Sequence, residues 1–371
     1  MALEKNQIEI RSDQSSNPVP IARVHKNIRI LEVNPTFLIG ASGYKLYRLY
    51  DRDRVLFSKL NDTKYSFLSN FRLLSRLFRT EIHCYRTLKN NTGICIAKKG
   101  IFLENKITGK FEKTFNILRG SKPMTICEDN EGNIFFGEYF NNTNRDEVNV
   151  YASFDGGENW EVVYTFLAKS IRHIHGIHLD PYTGFLWITT GDEDGECIIA
   201  FTKDKFKTLE IVARGGQEFR ACNLLFLKSN IVFGTDSPYI ENFIRNLNRN
   251  DFSFQNLKQV EGSIINACQI GEICVISTTV EPSNVNNDRF SYLWISENGY
   301  EWSQIACFKK DIYNMHLFQF GNIRFPKYQT LNNKSLFFSG HALKGIDGHS
   351  IEINNLKGYF KSEDLSKLKV I

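Results

Sequence analysis

At 371 residues the chain is long for one ordinary domain, which leaves two domains or one repeat architecture as the alternatives. The formal charge of +5, from 46 basic and 41 acidic residues dispersed along the chain, is too small to argue for a nucleic-acid partner or an anionic membrane. A hydrophobic fraction of 42% with 30 Phe and 15 Tyr favours an all-β fold, because aromatic rings pack well on a pleated surface.

The N-terminal extension, residues 1–19, carries Glu4, Lys5, Glu9, Arg11 and Asp13 where a signal peptide needs an unbroken apolar stretch. No later segment approaches the 18 apolar residues of a membrane span. The expectation is a cytoplasmic protein without a membrane span. The eight Cys, at 84, 95, 127, 197, 222, 268, 274 and 307, include no C-x-x-C pair and read as reduced core residues. One local basic cluster, Arg72, Arg76, Arg79 and Arg86, reads as a solvated edge or loop.

From residue 20 onward, short apolar runs end in Gly, Asn or Asp, as in Asn133 to Gly137, Phe185 to Gly191 and Asn230 to Gly234. That is the punctuation of strands and turns. Ser153-Phe-Asp155-Gly-Gly157-Glu-Asn-Trp160 fits the Asp box, Ser-x-Asp-x-Gly-x-x-Trp, at every defined position. A weaker copy starts at Thr202, with Asp204, Phe206 in place of Gly and Leu209 in place of Trp. A third, Ser296, Asn298, Gly299 and Trp302, is one residue short. The starts are 49 and then 94 residues apart, and a period near 47 is the size of a four-stranded propeller blade. The expected fold is therefore an all-β propeller domain over residues 20–355, with residues 356–371 as a C-terminal tail or closing segment. Cutting at the period gives blades near 20–66, 67–118, 119–167, 168–214, 215–261, 262–313 and 314–355, with one terminal segment completing a blade to close the ring. Seven blades is the expected number and six the alternative. In each box the Asp accepts backbone N–H groups, Gly supplies the turn and Trp packs between blades, so Ser153, Asp155, Gly157 and Trp160 are structural.

Ligand-facing groups in such a fold belong at first-strand starts and second-strand ends, which emerge on the face opposite the boxes. The first-strand positions are His83, Lys122, His173 with His175, Arg220, Asn266 and His316; the second-strand ends are Lys98, Glu138, Asp192, Asp236, Glu281 and His341. Alternation along a strand lets His173 and His175 share a face, with His178 on the other. A carboxylate such as Glu138 or Asp236 then orients a general base or completes a metal site, so His173, His175, Glu138 and Asp236 are the catalytic candidates. Tyr139, Arg220, Glu281, Lys98 and His341 are candidates for substrate binding. For Tyr139 packing against the following loop is the plain alternative, and for Asp236 turn capping. The cofactor is left open; a divalent metal held by His173 and His175 is one option.

The segments Phe136 to Asn142, Arg145 to Glu147, Ser153 to Trp160, Arg172 to Asp192, Gly234 to Pro238 and Thr278 to Pro282 resemble shared blocks of Asp-box (BNR-repeat), sialidase-like propeller proteins found near genes for surface-polysaccharide metabolism. The resemblance spans roughly residues 70–326 and implies a carbohydrate or other small polar ligand. True sialidases carry an early Phe/Tyr-Arg-Ile-Pro motif; here the only approach to it, Arg324-Phe325-Pro326, is late and lacks the Ile. The resulting expectation is a glycan hydrolase or lyase acting on an acidic or hydroxyl-rich saccharide. A non-catalytic glycan- or protein-binding scaffold is the alternative. A metal-dependent lactonase-like hydrolase, which needs six blades and convergence of Glu138, Asp236 and Asn266, is the second.

Overall fold

The Gly-punctuated apolar runs each become the second strand of an antiparallel four-stranded sheet. Ile134–Gly137, Leu186–Gly191 and Asn230–Thr235 are buried along their whole length, as strands covered on both faces must be. The computed structural model describes residues 22–51, 53–60, 63–329, 335–354 and 356. The N-terminal extension 1–19 and all of the proposed tail except Leu356 lie outside the described residues.

Seven sheets form seven blades of four strands, at residues 29–59, 84–116, 127–166, 173–215, 221–260, 263–309 and 322–353. All seven fall close to the expected cuts. Ring closure uses the N-terminal side: Ala22–His25 pairs antiparallel with Ser350–Ile353 and becomes the outer strand of the seventh blade. Joining the two ends of the chain in one sheet removes the open edges that a linear array would present. The short strand Lys327–Tyr328 runs parallel to Arg29–Val33 and adds a fifth, inner strand to the first blade. All eight cysteines are free thiols. No helix among the described residues is long and apolar enough to cross a membrane.

Blades are held to one another by apolar faces. Between the third and fourth, Phe135, Val150, Ile174, Ile188 and Phe206 form one buried cluster, and each such side chain contributes about 1.5–3 kcal/mol on burial. Polar clamps recur at the far ends of inner strands. Gln269 Oε1 accepts from Phe226 N at 3.0 Å and Glu128 Oε1 from Lys89 N at 2.8 Å, each tying one blade to its neighbour.

Between third and fourth strands the Ser153–Trp160 turn is stapled as its residue types require. Asp155 Oδ1 accepts from Ser153 Oγ, Glu158 N and Asn159 N at 2.8, 3.1 and 2.9 Å, while Ser153 Oγ accepts from Gly157 N at 2.8 Å. Trp160 packs edge-on against Phe115 and Phe136 of the second and third blades. Both degenerate copies form the same turn, through Asp204 Oδ1 with Thr208 N at 2.9 Å and Asn298 Oδ1 with Glu301 N at 3.0 Å. Phe206 adopts φ +72° where the motif has Gly; its burial in the interblade cluster offsets the strain. Asp155→Ala is expected to lower stability by about 1 kcal/mol, the loss typical of a capping side chain, with no change in ligand binding on the opposite face; denaturant titration beside a binding isotherm checks both.

Two helical insertions were not anticipated from the sequence. Arg72–Phe78, between the first and second blades, packs against Met315–Phe318, just before the seventh. The expectation of a solvated edge at Arg72, Arg76, Arg79 and Arg86 is corrected for Arg76, while Arg79 is exposed and Arg72 and Arg86 are half-buried. Arg76 is fully buried, donating to Phe318 O at 2.9 Å and to Asp311 Oδ2 at 2.5 Å, and Arg72 donates to Asp347 Oδ1 at 2.6 Å. The inner side of this cationic helix is buried because Asp311 and Asp347 lie beneath it. His316, expected on a first strand, lies in the second insertion; the inner strand of that blade is Asn322–Arg324.

Candidate functional site

The inner strand His173–Leu179 begins the fourth blade, and a register shift between Ile174 and Gly176 adjusts the strand at the histidines. His173 and His175 both turn towards Asp192, which follows the second strand Leu186–Gly191. The two Nε2 atoms lie 3.3 and 3.2 Å from the same Asp192 Oδ1. Arg220, leading into the fifth blade, places Nη2 3.0 Å from that oxygen, and Arg172 donates Nη1 to Oδ2 at 3.1 Å. Gly191 permits the assembly, because a Cβ there would stand 2.7 Å from His175 Cε1 and 3.2 Å from Arg220 Cγ.

Backbone carbonyls fix the ring tautomers. His173 Nδ1 faces Phe140 O and His175 Nδ1 faces Ala221 O, each at 3.1 Å, and a carbonyl only accepts, so both Nδ1 atoms carry protons. His175 Nε2 is hydrogen-bonded to the carboxylate, so both its nitrogens face acceptors. His173 differs. Its Nε2 is within ion-pair reach of Asp192 but off the line of a hydrogen bond, and it has no hydrogen-bond partner among the described residues. Burial lowers the His173 pKa, with the His175 charge adding to it and Asp192 opposing. Burial alone would raise the Asp192 pKa, but the two histidines hold it far below the usual carboxylate range.

Tyr139 lies over His173 with ring centroids 4.1 Å apart and remains 36% exposed. Restricted solvation, and then the carboxylates of Asp192, Asp236 and Glu281, raise its pKa and keep the phenol protonated. Asp236 extends the same wall, accepting from Cys222 Sγ at 3.4 Å and lying 3.4 Å from Arg220 Nη2. Glu281 is pushed up to about 7, first by burial and then by Asp236, with Arg220 opposing. With its folded pKa above the unfolded value, ionisation of Glu281 weakens the fold as pH rises towards and past 7, and has no effect below the unfolded value of about 4.3. Glu281→Gln is therefore expected to raise the melting temperature at pH 8 and leave it unchanged near pH 4, which a pH series of thermal melts checks.

Of the catalytic candidates, His173, His175 and Asp236 come together and Glu138 does not. Its carboxylate faces the crevice between the second and third blades, paired with Arg119 (Nε to Oε1, 3.0 Å) and accepting from Asn149 N at 2.9 Å. Strand alternation explains the correction: Tyr139 takes the channel side, so its neighbour Glu138 takes the other. Of the binding candidates, Tyr139, Arg220 and Glu281 line the histidine wall. Lys98 is elsewhere, donating to Phe78 O at 2.6 Å beneath the helical insertion. His341 belongs to a second group, with Nδ1 3.1 Å from Arg72 Nη2 and 3.9 Å from Glu81 Oε1. His178 packs towards the fifth blade, its Nε2 2.3 Å from where a Cβ on Gly176 would be, and burial lowers its pKa to about 4. Among the six second-strand ends Asp192 forms the hub, and nothing in its local sequence sets it apart from Glu138. Arg72, Glu81 and Asp347 were missed because they lie on insertions or turns with no counterpart in other blades.

Ligand atoms of His173, His175 and Asp192 lie within 4.8 Å of one another, as do those of His175, Cys222 and Asp236. The first set nevertheless fits a divalent ion poorly. Two guanidiniums already occupy both Asp192 oxygens, and their charge opposes a cation placed beside them.

No family model matches the chain, and no curated protein matches it. Among solved structures, the extracellular domain of a putative hybrid two-component system from B. thetaiotaomicron is 11% identical with a TM-score of 0.55, covering 91% of this chain and 43% of that one. The chain thus spans about two fifths of the length of that extracellular domain. An oligogalacturonate lyase from Vibrio parahaemolyticus is 9% identical with a TM-score of 0.56, covering 90% of this chain and 91% of that one. A structure of YCF48 bound to D1 peptide is 12% identical with a TM-score of 0.54, covering 92% and 98%. At these identities the likeness is one of fold, and the chain is a seven-bladed β-propeller.

Proposed function

We propose that the protein is a carbohydrate-active propeller enzyme that cleaves an acidic saccharide by β-elimination at the His173 wall. The observation that carries this reading is the His173 ring, whose Nδ1 faces Phe140 O, whose buried Nε2 has no hydrogen-bond partner among the described residues, and which packs against the partly exposed ring of Tyr139. In the step proposed, His173 Nε2 takes the proton beside the sugar carboxylate. The carbon–oxygen bond to the leaving sugar then breaks, a carbon–carbon double bond forms, and the Tyr139 hydroxyl protonates the leaving oxygen. Return of the proton from imidazolium to phenolate, across rings already in contact, resets the site. Asp192 stabilises the imidazolium, and Arg172 and Arg220 hold Asp192 in place.

Hydrolysis is the weaker reading, because it needs two carboxylates flanking the scissile bond and the two carboxylates among the catalytic candidates, Glu138 and Asp236, are split between the interblade crevice and the channel wall. The lactonase-like alternative required six blades, and there are seven. The three stapled turns at 153, 202 and 296 support a place among the Asp-box, sialidase-like propellers, and the likeness to the Vibrio lyase agrees with elimination on this fold. Incubation with acidic and neutral oligosaccharides, followed by mass spectrometry, tests the proposal. Elimination leaves products whose masses sum to that of the substrate, whereas hydrolysis adds one water. Tight binding of an acidic oligosaccharide without cleavage would instead indicate a scaffold.

A further inference from the structure

On the side of the channel formed by the seventh, first, second and third blades, the charge balance reverses. Arg29, Arg72 and Arg324 all donate to the single carboxylate of Glu81, and of the three only Arg72 has a second carboxylate, Asp347. Lys122, ahead of the inner strand of the third blade, adds a fourth cation. Its Nζ lies 2.6 Å from His83 Nδ1, and His83 Nε2 lies 3.1 Å from Met124 O. Since that carbonyl only accepts, His83 carries its proton on Nε2 and offers a lone pair to the ammonium. Among the described residues no carboxylate forms an ion pair with Lys122. Arg29, Arg72 and Arg324 thus share Glu81, Asp347 is divided between Arg72 and Arg76, and Lys122 is held by a neutral ring.

We propose that Lys122 is the binding site for a carboxylate of an acidic saccharide held in the channel. The inference rests on the reading of the channel as a saccharide site, and it assigns that site a uronate rather than a neutral sugar. Arg172 and Arg220 cannot fill this role, because their Nη atoms are already engaged by Asp192, Asn141 and Asp236. An ammonium offers three donors, and His83 takes one, so two are free for an oxyanion. The electrostatics agree. Burial, and then Arg324, Arg29 and the exposed Arg79, lower the Lys122 pKa to about 7 against the attraction of Glu81, while burial, followed by Lys122, Arg324 and Arg29, keeps His83 neutral. An arriving carboxylate raises the Lys122 pKa again, so binding takes up a proton at and above neutral pH and weakens as pH rises past 7.

The test is calorimetric titration of the wild type, Lys122→Met, Lys122→Arg and His173→Gln with galacturonate, galactose and inorganic phosphate. Galacturonate is expected to bind the wild type and His173→Gln alike, with proton uptake at pH 8 seen as a dependence of the enthalpy on the buffer. Lys122→Met should weaken galacturonate about tenfold or more, the loss usual for a hydrogen bond to a charged group, and leave galactose unchanged, while Lys122→Arg retains binding. Thermal melts are expected to show Lys122→Met at least as stable as the wild type, since it removes a desolvated cation. Equal affinity for galactose and galacturonate, or unchanged galacturonate affinity in Lys122→Met, overturns the inference. Phosphate that binds at Lys122 without being displaced by galacturonate overturns the sugar carboxylate as the ligand. Lys122-dependent galacturonate binding in a protein that cleaves no saccharide upholds the site and sinks the lyase reading; cleavage of acidic saccharides that is insensitive to Lys122→Met does the reverse.

Discussion

Replacing Asp192 by alanine is expected to lower the stability of the fold by about 3–5 kcal/mol, the range for breaking a buried ion pair. The loss is large because one carboxylate serves four partners. Arg172, Arg220, His173 and His175 all converge on it, and its side chain is only 11% exposed. Removing it leaves two guanidiniums and two imidazoles facing one another with no counter-charge. The folded pKa of Asp192 is depressed, so its contribution is fully present above the unfolded value of about 3.9 and is lost as pH falls towards the folded one. The difference between wild type and Asp192→Ala should therefore be constant from mildly acid to neutral pH and shrink only in strong acid. Denaturant midpoints at several pH values, with unchanged slope, check the size and the sign.

His173→Gln is expected to lower kcat by about 10²–10⁴, the contribution typical of a positioned general base, while galacturonate affinity and the melting temperature change little. Glutamine keeps a donor for Phe140 O but offers no basic lone pair. Because burial and His175 lower the His173 pKa, the acid limb of the wild-type kcat/KM profile should lie below the ordinary histidine value of about 6.5, and the alkaline limb should follow Lys122 near 7. Loss of the acid limb in residual His173→Gln activity would separate a chemical role from a purely structural one.

The propeller was legible because a local rule repeats. The Ser-x-Asp-x-Gly-x-x-Trp turn has a side-chain mechanism contained within eight residues, and three copies set the period even where Phe206 or Asn298 replaces the preferred residue. Strand alternation likewise brought His173 and His175 to one wall and predicted His178 on another. The site's wiring was less visible. Asp192 and Glu138 occupy equivalent places in consecutive blades, and only the neighbours reached across a blade interface, Arg220 for one and Arg119 for the other, decide which is a hub and which a staple. Burial of Arg76 was hidden because its partners Asp311 and Asp347 lie more than 230 residues away, in loops that no repeat reproduces. Lys122 stood in the ring of first-strand positions from the beginning, but its excess charge appears only once Arg29, Arg324 and Glu81 are brought around it.

The central claim is that His173, with Tyr139, eliminates across an acidic saccharide. Its most direct test is the ultraviolet absorbance of the new carbon–carbon double bond when wild type is mixed with an acidic oligosaccharide series at neutral pH. Growth of that absorbance with wild type, and its near absence with His173→Gln of equal stability, is the expected result. No growth with any acidic oligosaccharide, or equal growth with His173→Gln, would contradict it.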